Sequence, residues 1–418
     1  MSAPASSLEA RTVALDEAPD LRACAGSDGL LFHGEDGGVA ARGEALRIDL
    51  PHGLSDTGAL ADVSHLLRRI SREDDLGLPG TGPLVVGALP FDPSAPGHLV
   101  VPEVIYGRRG RQGWVTTIGR PGAGGTATPG GGPPAPAPEP PASPPDRFEL
   151  VPTMSHAEWK DVVSDAVARI EAGELTKVVL ARRIDILANR PFVLSDVLER
   201  LGALYPSCMV FSVEGFVGAS PELLVRRDGP QVECHPLAGT VARSGDVRGD
   251  EILVARLMDS PKIRREHRLV VEAIAAALAP YCEEMDVPEQ PSVLGLRNVS
   301  HLATRLTGRL SNGQRPSVLE LAARIHPTPA VGGLPTEEAI RYIQKVEGFD
   351  RGRYAGPVGW MDADGNGSFA LGIRSAELDG ATARIYAGNG IVAGSDPSDE
   401  LAETQLKLQA LLAALVRP

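Results

Sequence analysis

The chain has 418 residues, 43% of them hydrophobic, and a formal net charge of -13. That length and apolar content suffice for a large core, and the negative charge disfavours a nucleic-acid partner, whose phosphates call for a basic surface. No apolar run approaches the ~20 residues a membrane span needs, and the N-terminus lacks the basic-then-apolar order of a signal peptide, so a cytoplasmic protein is expected.

In chain order, residues 1–120 mix short apolar runs with Gly and Pro turns, and LVVGALPF (84–91) and HLVVPEVIYG (98–107) have strand composition. Residues 121–146, dominated by PGAGGTATPGGGPPAPAPEPPASPP, cannot bury apolar surface and are expected to form a disordered insertion. It separates an N-terminal part of the fold (1–120) from a denser core (147–418) within one domain. Ser155 and Glu158 have capping-box spacing. Trp159, Val163, Ala166 and Ile170 follow at helical spacing. KVVLARRIDIL, CMVFSVEGFVGAS, ELLVRRD and QVECHPLA read as strands. A long helix is expected over about 251–281 with an interruption at Pro261, another over about 317–324, and a third after Pro335. The 364–367 turn DGNG joins two strands. ATARIYAGNGIVAG is a further strand, and Asp396 and Pro397 open the last helix as N-cap and first residue. Strands outnumber helices without alternating with them, which predicts an α+β fold. Neither a dinucleotide fingerprint nor a phosphate loop is present.

Several side chains stand out. Of 41 basic residues only five are lysine: Lys160, Lys177, Lys262, Lys345 and Lys407. Lys can give up its proton when buried and Arg cannot, so a surviving Lys invites a chemical reading. Lys177 opens an apolar strand and is either a buried base or an ordinary lysine at a strand edge. Glu222, after the turn GASP, either points into a cleft or is a loop glutamate. His301 is either a hydrogen-bond donor or a satisfied core histidine. Glu400, Glu403 and Lys407 share one helix face, and Glu266 lies on another helix. Carboxylates from two helices could hold a hard cation such as Mg²⁺, while a solvated face with a Glu403–Lys407 pair explains the same spacing. Arg374, among apolar neighbours, requires an anion, from a substrate or from the protein. The Gly-bearing segments LAGT, YAGP and AGNG let backbone N–H groups approach a carboxylate, or are simply turns. The four cysteines are scattered with no paired metal spacing, as in a reducing compartment.

The ordered motifs KVVLAR, GASPELL, HPLAGT, REHRLVV, HLAT, HPTPAVGG, RYAGPVGW, GIRSAEL, AGNGI and ELAETQLKL resemble the chorismate-utilising enzymes, and most of all the isochorismate synthases among them. The resemblance is strong from Met154 onward and weak before it. It implies one α+β domain of two packed antiparallel sheets with helices outside. It implies that Lys177 activates water for attack on ring C2 and that Glu222 protonates the departing C4 hydroxyl, with His301 beside them. Mg²⁺ would be held by Glu266 and Glu403, with Glu400 helping. The substrate chorismate would be held by Gly239, Thr240, Ala330, Tyr354, Arg374, Gly388, Gly390 and Lys407. Lys at position 177 speaks against an aminating relative, so no glutamine amidotransferase partner is expected, and a monomer is; the HPTPA stretch (326–330) also looks like the isochorismate synthases, and salicylate synthases usually differ there. Two alternatives stay open: a salicylate synthase that goes on to eliminate pyruvate, and a silent chorismate-binding relative. The siderophore, menaquinone and salicylate routes downstream are not separated. Three residues depart from the common pattern: Ile263 for an acidic side chain, Val241 for Arg and Asn389 for Ala.

Overall fold

The computed structural model describes residues 8–26, 29–121, 143–313 and 315–416. The expected disordered insertion lies largely outside the described residues. Among those described, thirteen strands form one sheet, nine a second and three a small third. Nearly all pairs are antiparallel. The exception is Glu9–Leu15 with Ser71–Glu73, which runs parallel at the end of the large sheet. The α+β reading with two large sheets therefore holds, and the small sheet of Leu237–Ala242, Val299–Ala303 and Ser292–Gly295 is an addition to it.

Alternation along the strands explains how the large sheet is covered on both faces. In Leu30–Gly34, Leu30 and Phe32 enter a core shared with the second sheet, whereas Leu31 joins a separate cluster on the outer face. Leu84, Val86 and Leu99 bring the second sheet into the shared core. Leu198 and Leu201 of the Leu194–Leu204 helix and Leu408 and Leu411 of the Pro397–Leu415 helix cover the outer face. Each such Leu contributes roughly 1.5–3 kcal/mol by leaving water.

Prolines redirect the chain at three places where the sequence reads as one element. The expected strand at 98–107 is two, Gly97–Val101 in the second sheet and Val104–Arg109 in the first. QVECHPLA is likewise Gln231–His235 in the second sheet and Leu237–Ala242 in the small one. Pro102 and Pro236 lie at these breaks and have no N–H for a continuing ladder. The expected long helix is Val247–Asp259 followed by Pro261–Leu278, with Ser260 capping the second by accepting from the Ile263 N–H at 3.4 Å. The capping box at Ser155 and Glu158, the turn after Asp362 and the Asp396 cap all form as the sequence predicts.

Candidate active site

The large sheet places Lys177. It begins the Lys177–Ala188 strand, which pairs along its length with Thr382–Ile391 and also with the short strand Gly333–Leu334. Neighbours on both sides and a side chain 1% exposed rule out an edge lysine. Its Nζ lies 3.0 Å from Glu266 Oε1. Glu266 projects from the second turn of the Pro261–Leu278 helix, whose start is fixed by Ser260 and Pro261. Opposite them, Pro397–Leu415 begins at the Asp396 cap and presents Glu400, Glu403 and Lys407.

These elements enclose a cavity of about 260 Å³. All fourteen residues singled out in the sequence line it: Lys177, Glu222 and His301; Gly239, Thr240, Ala330, Tyr354, Arg374, Gly388, Gly390 and Lys407; Glu266, Glu400 and Glu403. Lys262, Arg351 and Asn389 line it too, and the sequence reading gave them no role. A signal existed for Lys262, since Lys177, Lys262 and Lys407 are three of the five lysines. Arg351 had none, because its task is set by partners distant in sequence. It is buried against Glu347 and donates at 2.8 Å to the carbonyls of Val179 and Val331, tying the Lys177 strand to the loop after Ala330.

Glu222 follows the Phe216–Ser220 strand and is 4% exposed. Burial pushes its carboxyl up to about 8, against smaller lowering effects from the Leu237 backbone, Lys177 and Lys407. The group is therefore a proton carrier at neutral pH. His301 behaves differently. Burial, then Arg374 and Lys407, hold its imidazole well below the usual value, so it is neutral. Its Nε2 lies 3.3 Å from Arg374 Nη2 and its Nδ1 lies 3.0 Å from Thr240 Oγ1. Arg only donates, so Nε2 accepts and the proton sits on Nδ1, directed at Thr240. Both ring nitrogens are thus engaged within the site.

Arg374 is buried, and among the described residues it has no carboxylate within ion-pair distance. Burial lowers its pKa. It also has a left-handed φ of 51°, a conformation that costs a non-glycine residue on the order of 1 kcal/mol and is concentrated at working sites. The carboxylate of Glu403 acts on it only at longer range. Lys407 adds a second positive group, 2.7 Å from Glu403 Oε1 and donating at 2.9 Å to the Gly388 carbonyl. The Glu403–Lys407 pair foreseen on a solvated face does form, but it faces the cavity. Tyr354 stacks on Tyr386 with ring centroids 4.8 Å apart. Gly239 has a φ of 79°, and a Cβ there would run into Ile263.

Among the described residues no three His, Cys, Asp or Glu side chains converge as a ready metal cluster. Each carboxylate instead has a lysine beside it: Lys177 at Glu266, Lys407 at Glu403, and Lys262 Nζ 3.7 Å from Glu400. Glu400 is nevertheless pushed up to about 7, by burial first and then by the like charges of Glu403 and Glu266. Three carboxylates close enough to repel offer an oxygen-only donor set, which fits a hard divalent cation. His267 is not part of that set: it is buried and its Nε2 bonds Thr304 Oγ1 at 2.7 Å.

A buried lysine, a protonated carboxyl, unpaired positive charge and an acidic corner in one cavity belong to an enzyme for a small polyanion. The chain matches the family of chorismate-binding enzymes over residues 135–416, and it belongs to that family. It is 38% identical over 346 residues to isochorismate synthase DhbC of Bacillus subtilis (strain 168), spanning 80% of this chain and 81% of the relative. It is 36% identical over 337 residues to isochorismate synthase EntC of Escherichia coli (strain K12), spanning 79% and 80%. The solved structure of MenF, the menaquinone-specific isochorismate synthase from Escherichia coli, superposes with a TM-score of 0.79 at 26% identity, covering 98% of this chain and 94% of that one. These relatives put the chain with the isochorismate synthases of the family. No helix among the described residues is long and apolar enough to cross a membrane.

Proposed function

We propose that this cavity isomerises chorismate to isochorismate, with Lys177 as base and Glu222 as acid. The observation that carries the assignment is the pairing of a fully buried amine with a buried carboxyl raised to about 8, both facing one cavity. Lys177 takes a proton from a water, whose oxygen bonds to ring C2. The ring double bonds shift, the C4–O bond breaks, and Glu222 gives its proton to the departing hydroxyl, which leaves as water. One water enters and one leaves, so the reaction is an isomerisation. Acid and base must start in opposite protonation states, and burial of Glu222 meets that need on the acid side.

Arg374 and Lys407 bind the substrate carboxylates, with the Tyr354 hydroxyl and the backbone around Gly239, Gly388 and Gly390 completing the cradle. His301 acts through Arg374: its neutral ring accepts from the guanidinium and holds the fork in place. Thr240, bonded to the other ring nitrogen, lies toward the ring hydroxyls. Glu266, Glu400 and Glu403 would hold Mg²⁺, which neutralises a ring carboxylate and polarises the electron shift when bound.

The test is a chromatographic assay of products from chorismate and Mg²⁺, with and without EDTA. Isochorismate without pyruvate, lost in EDTA, supports the reading. Salicylate with equal pyruvate would assign a further elimination step, and binding without turnover would make the chain a silent relative.

A further inference from the structure

Glu400 is contacted by two neutral side chains that the mechanism leaves without a task, Ser395 and Asn389. Asn389 is 4% exposed and sits between the two glycines of the AGNG segment. A Cβ at Gly390 would clash with Glu266, and one at Gly388 would come within 3.2 Å of the Tyr354 hydroxyl, so both positions turn toward the cavity. Strand alternation sends the Asn389 side chain to the opposite face, where the Pro397–Leu415 helix begins. There its Nδ2 donates to Glu400 Oε2 and, at 3.2 Å, to the Glu400 main-chain oxygen. Its Oδ1 is buried without a hydrogen-bond partner among the described residues. The amide is thus oriented by Glu400: turned over, it would aim an acceptor at a carboxylate oxygen.

We propose that Asn389 is a positioning residue for the divalent-cation site. It ties Oε2 of Glu400 and so leaves Oε1 as the oxygen available for ligation. Two further observations fit that role. Asn389 is paired in the sheet with Leu180, on the strand that Lys177 opens, so its backbone is held by the same rigid element as the base. Lys262 Nζ already lies 3.7 Å from Glu400 Oε1, and a Glu400 released from Asn389 is free to close further on that lysine, in competition with a metal. The inference rests on the reading of Glu266, Glu400 and Glu403 as the oxygen set that holds Mg²⁺. Outer partners of this kind commonly set metal affinity within a factor of about 10–100.

The experiment is calorimetric titration of Mg²⁺ into the full chain without substrate, for the wild type, Asn389→Ala, Asn389→Leu and Glu400→Gln. Leu keeps the branched shape of Asn, with somewhat more bulk, and removes the donor. Both Asn389 variants are expected to weaken Mg²⁺ binding about tenfold, and Glu400→Gln at least as much. The rise in melting temperature on adding Mg²⁺ should shrink in the same order. Asn389 variants that bind Mg²⁺ like the wild type, while Glu400→Gln does not, would overturn the proposal. So would variants that melt lower in EDTA yet keep the wild-type Mg²⁺ affinity, which is the mark of a purely structural role. If Glu400→Gln also binds Mg²⁺ normally, the cation reading itself fails and the inference goes with it.

Discussion

Lys177 and Glu266 meet at 3.0 Å only because position 390 has no side chain. A Cβ at Gly390 would clash with Glu266 Oε1 and lie 2.8 Å from Lys177 Cε. The pair comes from a strand and a helix, its two residues about ninety positions apart in the chain, and Gly390 of the neighbouring Thr382–Ile391 strand lies against both side chains. Gly390→Ala should therefore keep the fold and displace the base. A displacement near 1 Å at a reacting group costs on the order of 100-fold, so kcat/KM should fall by about that factor with an unchanged circular dichroism spectrum. Near-normal turnover would show that the Lys177–Glu266 contact is not used.

Lys177→Ala and Glu222→Gln should each lower kcat by about 10²–10⁴, the usual span for general acid–base groups. The two differ in their effect on stability. Removing Lys177 leaves Glu266 largely buried and unpaired, at a cost of up to about 3 kcal/mol. Adding Glu266→Gln to Lys177→Ala should recover stability and leave activity lost. If the double variant melts no higher than the single one, the pair is not coupled.

Much of the site was legible because family motifs carry residue type and order, and the cavity gathers all fourteen residues so marked. Local signals were legible for local reasons: the caps at Ser155 and Asp396 depend on residues within one turn. Sheet membership was not. Pro102 and Pro236 divide runs that are continuous in hydrophobicity, and nothing within either run says that its halves enter different sheets. Arg351 and Asn389 were missed for the same reason. Arg351 owes its role to the carbonyls of Val331 and Val179, on a loop and a strand that only the tertiary fold brings together, and Asn389 owes its role to Glu400, which the turn into the Pro397–Leu415 helix returns against the strand.

The pH dependence follows from Glu222. Its ordinary value is 4.5 and burial raises it to about 8. As an acid it must carry its proton, so kcat/KM should decline as pH rises through about 8. Stability moves the same way. Below 4.5 folded and unfolded chains both hold the proton, and between 4.5 and about 8 only the folded chain does. Stability from this group is thus complete at low pH and is lost at up to ~1.4 kcal/mol per pH unit across that window. Gln is neutral throughout, so the melting-temperature advantage of Glu222→Gln over the wild type should grow from pH 5 to pH 8 and then level off. An advantage that does not vary with pH would mean that Glu222 titrates normally.

Arg374 separates function from stability most sharply. Its guanidinium is buried, its described neighbours include no carboxylate partner, and its backbone is held at a φ of 51°. Each of those features is unfavourable to the empty protein, since a buried charge without an ion partner keeps its desolvation cost. The compensation comes only when an anion arrives, and a charge-assisted hydrogen bond to it is worth about 1.5–3 kcal/mol. Arg374→Ala should then raise the KM for chorismate by about 10- to 100-fold, while the melting temperature without substrate stays level or rises. Arg374→Lys should recover only part of the affinity, because a point charge cannot reproduce the planar fork and cannot keep its bond to His301 in the same geometry. The measurement is KM and melting temperature on the same three proteins. A large drop in melting temperature with unchanged KM would make Arg374 a structural residue and remove it from the substrate cradle.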